Sequence, residues 1–470
     1  MRNKAKSLIL ASIIGCVIIG SGFSVTALQN YAKAEEDTGV YSIGFDIMGG
    51  KDVMPLGVFF GPDSKYYDVE NGNQIDHLNK AKYFDYMVDA KLNMVTVSYD
   101  YYNGAHLQQP IMESLDLCLE RNIGYFMHDY RVESAYTASK WMDIIKDWIN
   151  HPAVAGVHFT DEPKQVKFEE IAECYRAWDS LQIHDKSLFT NLYATGCSGT
   201  MLSGTSTPIT IEEYYRSFIE TVKPPMISSD IYPFRSPNQG THSNINFLKD
   251  MSLMRRLSKE YKIAFWTYVA AGMQHNDAGS EIMSTLPYYQ SEGEILWNIN
   301  IPLAYGCTGI SYFTYFQPDH YAYAPGNDRD FHRNGILGVA GNKNQWYYYI
   351  QKANTQIAAI DHILMNASSM GVIPVGTYAD RLVQSYEKIS SFRELTGVTG
   401  EDFIVGCFDY LGKTALYVVN NSSTEKHKAT LKFSSNNHYT VIQRAVTRET
   451  DGKDLALTLE TGEGVMVVVD

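Results

Sequence analysis

At 470 residues the chain exceeds the roughly 250–300 residues that a single hydrophobic core serves, so two domains are expected. Its 45% hydrophobic and 20% charged residues are those of an ordinary globular protein. A formal charge of −14, with no basic, aromatic-interleaved patch, repels phosphate backbones and excludes nucleic acid as a partner.

The chain begins with a basic head (Arg2, Lys4, Lys6), an apolar stretch over 7–25, and the small residues Ala32 and Ala34 flanking Lys33. This is the pattern of a signal peptide spanning 1–34, cleaved after Ala34, and it predicts export with no membrane span in the mature chain. Two other readings stay open. Ile13-Ile14-Gly15-Cys16 is similar to a lipoprotein box, although the apolar run continues past Cys16. An uncleaved anchor is the other, because the stretch is nearly long enough to span a bilayer. Beyond the leader, Cys118, Cys174, Cys197, Cys307 and Cys407 form no CxxC or Cys/His cluster. They read as small core residues, with no disulfide framework and no metal site or cofactor implied.

After a lead-in over 35–53, strands and helices alternate. Strands are expected at 54–60, 94–99, 123–127, 153–160, 188–193, 226–230, 263–270 and 309–316. Helices are expected at 81–91, 111–120, 138–150, from 168, at 211–222, 244–261, 292–305 and 345–364. Eight such repeats predict a (β/α)8 TIM barrel over 54–366. A doubly wound open sheet also alternates, but no glycine-rich phosphate turn follows the first strand. From about 370 the pattern changes to short, alternating strands at 403–408, 413–419, 429–433, 439–446 and 464–469, with turns at Gly412, Asn420-Asn421 and Asp451-Gly452. That is an α/β barrel followed by a small all-β sandwich over 370–470. The sandwich is expected to cover the barrel's outer helices.

The chemistry centres on the fourth strand, AVAGVHFTDEP, where an apolar run ends in Asp161, Glu162 and Pro163. Residues at the C-terminal ends of barrel strands face the active site, and glycoside hydrolysis needs two carboxyl groups there. Glu162 fits the proton donor, since desolvation and the Asp161 charge raise its pKa. Neighbours on an extended strand point to opposite sides, which leaves Asp161 to hold substrate hydroxyls. Taken alone, the pair reads equally well as a helix cap. Asp230, ending the sixth strand, is the candidate second carboxylate, and Asp129 the reserve. Two strand spacings separate Glu162 from Asp230 by roughly 9–10 Å, which favours inversion. Asp129, Tyr232, Trp266, Tyr312 and Tyr315 are candidate substrate contacts, with Trp266 as a platform beneath a sugar ring. Tyr99, Tyr130 and Tyr268 are expected to line the same cleft. His128 reads either as a hydroxyl ligand or as a structural histidine. The loop over 317–344 is long enough for a lid; its Asp319, Asp328 and Asp330 read as solvated charges, and Glu294 as a helix-face residue.

The Asp161-Glu162-Pro163 triplet after strand four, and the stretch from Ala304-Tyr305-Gly306 through Gly309-Ile310-Ser311-Tyr312-Phe313, resemble glycoside hydrolase barrels of the large β-galactosidase-like clan. The resemblance implies a secreted enzyme acting on carbohydrate, with Glu162 as acid/base. Two departures stand out. Asp161 occupies the position of the clan's Asn, and the seventh strand has no acid where the clan's nucleophile stands. The competing expectation is therefore a catalytically inactive barrel that binds glycans at the cell surface.

Overall fold

A computed structural model describes residues 39–62, 65–68, 73–76, 80–97, 108–129, 131, 138–234, 245–271, 291–315, 335–337, 341–376 and 388–470. The leader with Cys16, Tyr99, Tyr130, Asp319, Asp328 and Asp330 lie outside the described residues.

Eight parallel strands close into a barrel: β1 (Leu56–Phe59), β2 (Met94–Val95), β3 (Gly124–Met127), β4 (Val154–Asp161), β5 (Ser187–Leu192), β6 (Met226–Ser229), β7 (Ala264–Ala270) and β8 (Ile310–Phe313). The ring shuts where β1 pairs with both β8 (Leu56 opposite Ile310) and β2 (Gly57 opposite Met94). Helices α1 (Lys80–Asp89), α2 (Gln108–Leu119), α3 (Ala138–Ile145), α4 (Phe168–Asp179), α5 (Ile211–Val222), α6 (Ile245–Tyr261), α7 (Glu292–Ala304) and α8 (Gln345–Ala358) follow the strands in turn. Their apolar stripes, such as Phe168, Ile171, Ala172 and Tyr175 of α4, join the outward side chains of the strands in one large core. Cys118, Cys174, Cys307 and Cys407 are buried free thiols, and Cys197 is half-buried.

Inside the barrel the side chains stack in layers. At the N-terminal end, Met94, Phe126, Phe189, Met226 and Trp266 meet Phe45 and Met48, which come from the lead-in. Trp266 fits because residue 309 is glycine: a Cβ there would lie 2.5 Å from the indole. Among the described residues, no helix is long and apolar enough to cross a membrane.

The C-terminal region is an antiparallel sheet of seven strands: β9 (Ala367–Val375), β10 (Leu395–Gly400), β11 (Phe403–Tyr410), β12 (Lys413–Asn420), β13 (His427–Gln443), β14 (Val446–Leu459) and β15 (Gly464–Val469). Its order is β9-β11-β12-β15-β13-β10, with β14 paired to β13. Period-2 alternation is used twice over. Val405, Leu416, Val418, Val465 and Val467 face the sheet domain's own core, whereas Ile404, Ala415, Tyr417, Met466 and Val468 join the barrel's. Against α7, Tyr417 donates to Asn300 at 2.6 Å, and Trp297 to Asn421 at 2.9 Å. Asp451-Gly452 is not a turn. Both residues pair within the β13–β14 ladder, and the reversal falls at Arg444-Ala445, both at positive φ and with no glycine to mark it.

Candidate active site

Two bulges aim the end of β4. The register slips beside Ala155, where Tyr125 and Phe126 of β3 face Val154 and Gly156, and again at Phe159, where Phe189 and Thr190 of β5 face His158 and Thr160. A bulge inserts one residue and turns the side chains that follow. Phe159 stays in the outer core, and Asp161 comes opposite Asn191, whose Nδ2 donates to it at 3.0 Å. Glu162 then adopts φ 45°, a left-handed conformation that costs free energy in a non-glycine residue and clusters at functional sites. The surroundings hold it there. Its N–H donates to the Asn191 carbonyl at 2.9 Å, and the next carbonyl, of Pro163, accepts from Tyr214 of α5 at 2.5 Å.

The left-handed turn lets both members of the pair reach the same mouth, where strict strand alternation allows one. The carboxyl of Glu162 hydrogen-bonds with that of Asp230, just past β6. Burial pushes Glu162 up to about 7, and the charge of Asp161 adds to it. Burial drives Asp230 well above the ordinary carboxylate range, with the charges of Glu162 and Asp161 acting in the same direction and Asn191 holding it down. Asp230 Oδ1 is buried with no hydrogen-bond partner among the described residues. Two carboxyls in contact titrate as a unit and hold one proton between them over an intermediate pH range.

The strand ruler of 9–10 Å is therefore corrected. Carboxyls at strand ends extend inward and converge, so Glu162 and Asp230 touch although their strands are two places apart. Tyr232 stands half-buried beside them, its ring 6.0 Å from that of Phe313. Tyr193, raised to about 12 by burial and then by the Glu162 charge, borders the pair just past β5.

Other expected contacts lie elsewhere. Trp266 is inside the barrel, as expected, but in the N-terminal layer and 2% exposed, so it is no platform for a sugar. Tyr312 and Tyr315 are fully buried and point outward, donating to Asn354 of α8 and to the Tyr83 carbonyl of α1, each at 2.6 Å. On β8, the inward parity belongs to Ser311 and Phe313. Asp129 is 1% exposed; both its oxygens accept from Arg131, and Trp148 Nε1 donates to it at 3.2 Å. His128 is buried with Nδ1 3.3 Å from the His158 carbonyl oxygen. Glu294 is buried in the first turn of α7. Burial, and then the charges of Asp161 and Asp230, hold the Tyr268 hydroxyl well above the ordinary range, with Thr96 and Ser311 acting the other way.

Sequence reasoning passed over Asn191, Tyr193 and His158. His158 is buried, and its imidazole is pushed well below the ordinary range by desolvation and by His128. The legible signal was a polar residue inside an apolar strand run, since a buried amide or imidazole demands partners. Two side-chain groups with metal-ligating chemistry, Glu401/Glu425/His427 and His438/Glu449/Asp470, are on the C-terminal sheet and far along the chain from this mouth.

No family model matches the chain, and no curated protein matches it. Solved structures are similar to it. A glycoside hydrolase family 5 protein from Bacteroides vulgatus ATCC 8482 aligns over 89% of this chain and 90% of its own, at 10% identity and a TM-score of 0.52. A β-galactosidase from the psychrophilic Marinomonas ef1 aligns over 66% of this chain and 62% of its own, at 11% identity and a TM-score of 0.43. The Bifidobacterium dentium β-glucuronidase aligns over 64% of this chain, at 12% identity and a TM-score of 0.44; the match spans 46% of that enzyme. The likeness to the family 5 protein shows a common architecture of barrel and C-terminal sheet.

Proposed function

We propose that the protein is a glycoside hydrolase, exported through its N-terminal leader, that cleaves O-glycosidic bonds of an oligo- or polysaccharide with Glu162 as general acid and Asp230 as the second carboxylate. One observation carries this reading: at the C-terminal mouth of the barrel, two carboxyls hydrogen-bond each other in a setting that raises both pKa values. A pair holding one proton supplies an acid and a carboxylate at once, which glycoside cleavage requires.

With the pair's one proton on Glu162 and Asp230 ionised, the half-buried Glu162 gives that proton to the leaving oxygen while Asp230 attacks the anomeric carbon, forming a glycosyl ester as the C–O bond breaks. Glu162, now ionised, takes a proton from water; the water oxygen displaces Asp230 and releases the sugar. Carboxyls in contact suit retention, whose pairs stand about 5–5.5 Å apart, better than inversion at about 6.5–9.5 Å. Substrate entry replaces the Glu162–Asp230 hydrogen bond with one from Glu162 to the glycosidic oxygen.

Sugar release from mixed plant, host and microbial glycans tests the reading. Glu162→Gln is expected to lower turnover by about 10²–10⁴-fold, and Asp230→Asn comparably, with the anomeric configuration kept in the first-formed product by proton NMR. Unchanged turnover in Glu162→Gln removes the acid assignment. The second reading, a glycan-binding barrel without turnover, is favoured by one feature: β7 and Ala271 contain no acid. Glycan retention by the wild type with no sugar released decides for it.

A further inference from the structure

One buried residue touches all three acids, two through its side chain and one through its backbone. Asn191 is 3% exposed on β5. Its Nδ2 donates to Asp161 Oδ1 at 3.0 Å, its amide also hydrogen-bonds the Asp230 carboxyl, and its backbone carbonyl accepts from Glu162 N at 2.9 Å. The amide cannot turn freely, because the Ser228 hydroxyl of β6 donates to Asn191 Oδ1 at 3.2 Å. With the carbonyl end so engaged, both N–H bonds of the carboxamide are left for carboxylates.

We infer that Asn191 is the positioning residue of the acid pair: a buried amide, pinned by Ser228, that sets where Asp161 and Asp230 stand relative to Glu162. The inference rests on the proposal that Glu162 and Asp230 act as a pair. The titratable groups around the three acids are the acids themselves (Asp161 of β4, Glu162 just past it and Asp230 beyond β6), Tyr193 just past β5, Tyr232 beyond β6, and Tyr268 of β7. Cys197 and, from α5 and α6, Tyr215 and Asp250 stand behind them. In this acidic set the amide steadies carboxylates by donating hydrogen bonds. A donor to the ionised form lowers a carboxyl's pKa, so losing it makes the pair give up its protons at higher pH.

The test is a carbon-13 NMR titration of the Asp and Glu side-chain carboxyls from pH 4 to 9, in wild type, Asn191→Leu and Ser228→Ala. Asn191→Leu keeps the branched shape and the number of side-chain heavy atoms and removes both donors. It is expected to move both apparent pKa values of the pair upward by half a pH unit or more, a readout that mere loss of packing would not move. Ser228→Ala, which unpins the amide, is expected to give a smaller shift of the same sign. Coupled titration in the wild type that is unchanged in a folded Asn191→Leu overturns the inference and leaves the pair intact. Should Asn191→Leu not fold, an unchanged titration in Ser228→Ala overturns it instead. Ordinary, uncoupled values in the wild type remove the pair and the inference with it. The predicted shift in a protein that releases no sugar sustains the positioning role while the hydrolase reading fails.

Discussion

The two ends of the barrel interior are built from the same eight strands and obey opposite rules. At the N-terminal end, Phe126, Phe189, Met226 and Trp266 pack in an apolar plug sealed by Phe45 and Met48, with ring centroids 5.3–6.3 Å apart. At the C-terminal end, Asp161, Glu162, Asp230 and Asn191 crowd charge and hydrogen-bonding groups into partly desolvated space. The plug is close-packed and uncharged, and its one strained polar feature is Trp266 Nε1, buried with no hydrogen-bond partner among the described residues. The mouth contains a left-handed glutamate, a buried Asp230 oxygen without a partner among the described residues, and like charges side by side. Local violations of this kind mark functional sites, and the rest of the fold offsets their cost.

The largest effect that separates the two ends is expected in the plug. Trp266→Ala should destabilise the protein by about 3–5 kcal/mol, read as a fall in the urea midpoint, while the carboxyl titration at the mouth stays as in the wild type. A changed titration would mean that the layers are not independent.

Next comes the pH dependence of stability. Glu162 titrates near 7 in the folded chain and at the ordinary carboxylate value when unfolded, and Asp230 is shifted in the same direction. The folded state then holds more protons, so the contribution of Glu162 is full below the ordinary carboxylate range and is lost as pH rises through about 7, and that of Asp230 is lost in the same direction. His158 acts oppositely: its folded-state value is depressed, so its contribution grows as pH rises toward the ordinary imidazole value. A difference measurement separates them. Relative to the wild type, Glu162→Gln/Asp230→Asn should gain stability from pH 5 to pH 8, by on the order of 1–3 kcal/mol. A flat difference would place both carboxyls at ordinary values.

The smallest effect tests the brace behind the mouth. Tyr214→Phe removes the 2.5 Å bond to the Pro163 carbonyl and should cost about 1 kcal/mol of stability. A few-fold loss of turnover at unchanged KM should accompany it, as Glu162 loses its fixed backbone.

Much of this architecture was legible in the chain itself. The alternation of strand and helix stripes predicted the barrel, since apolar periodicity is local and each repeat carries its own. The Asp161-Glu162-Pro163 ending pointed to the mouth, and Asp230 was named from its place at a strand end. Parity was less legible. Tyr312 and Trp266 have the composition of cleft residues, but one faces α8 and the other the barrel floor, because side-chain direction depends on register with neighbouring strands. The β13–β14 reversal at Arg444-Ala445 was hidden for a related reason: neither residue is a usual turn former, and the long paired strands impose the positive φ.

By itself, then, the sequence determined which segments are strands and helices, that a ring of parallel strands precedes an antiparallel sheet, and which acids end strands. The tertiary structure alone decided that Asp161, Glu162 and Asp230 share one mouth with Asn191 between them. Bulges, a left-handed turn and contacts between strands distant in sequence bring them together, and those are properties of the closed barrel that no local stretch of chain encodes.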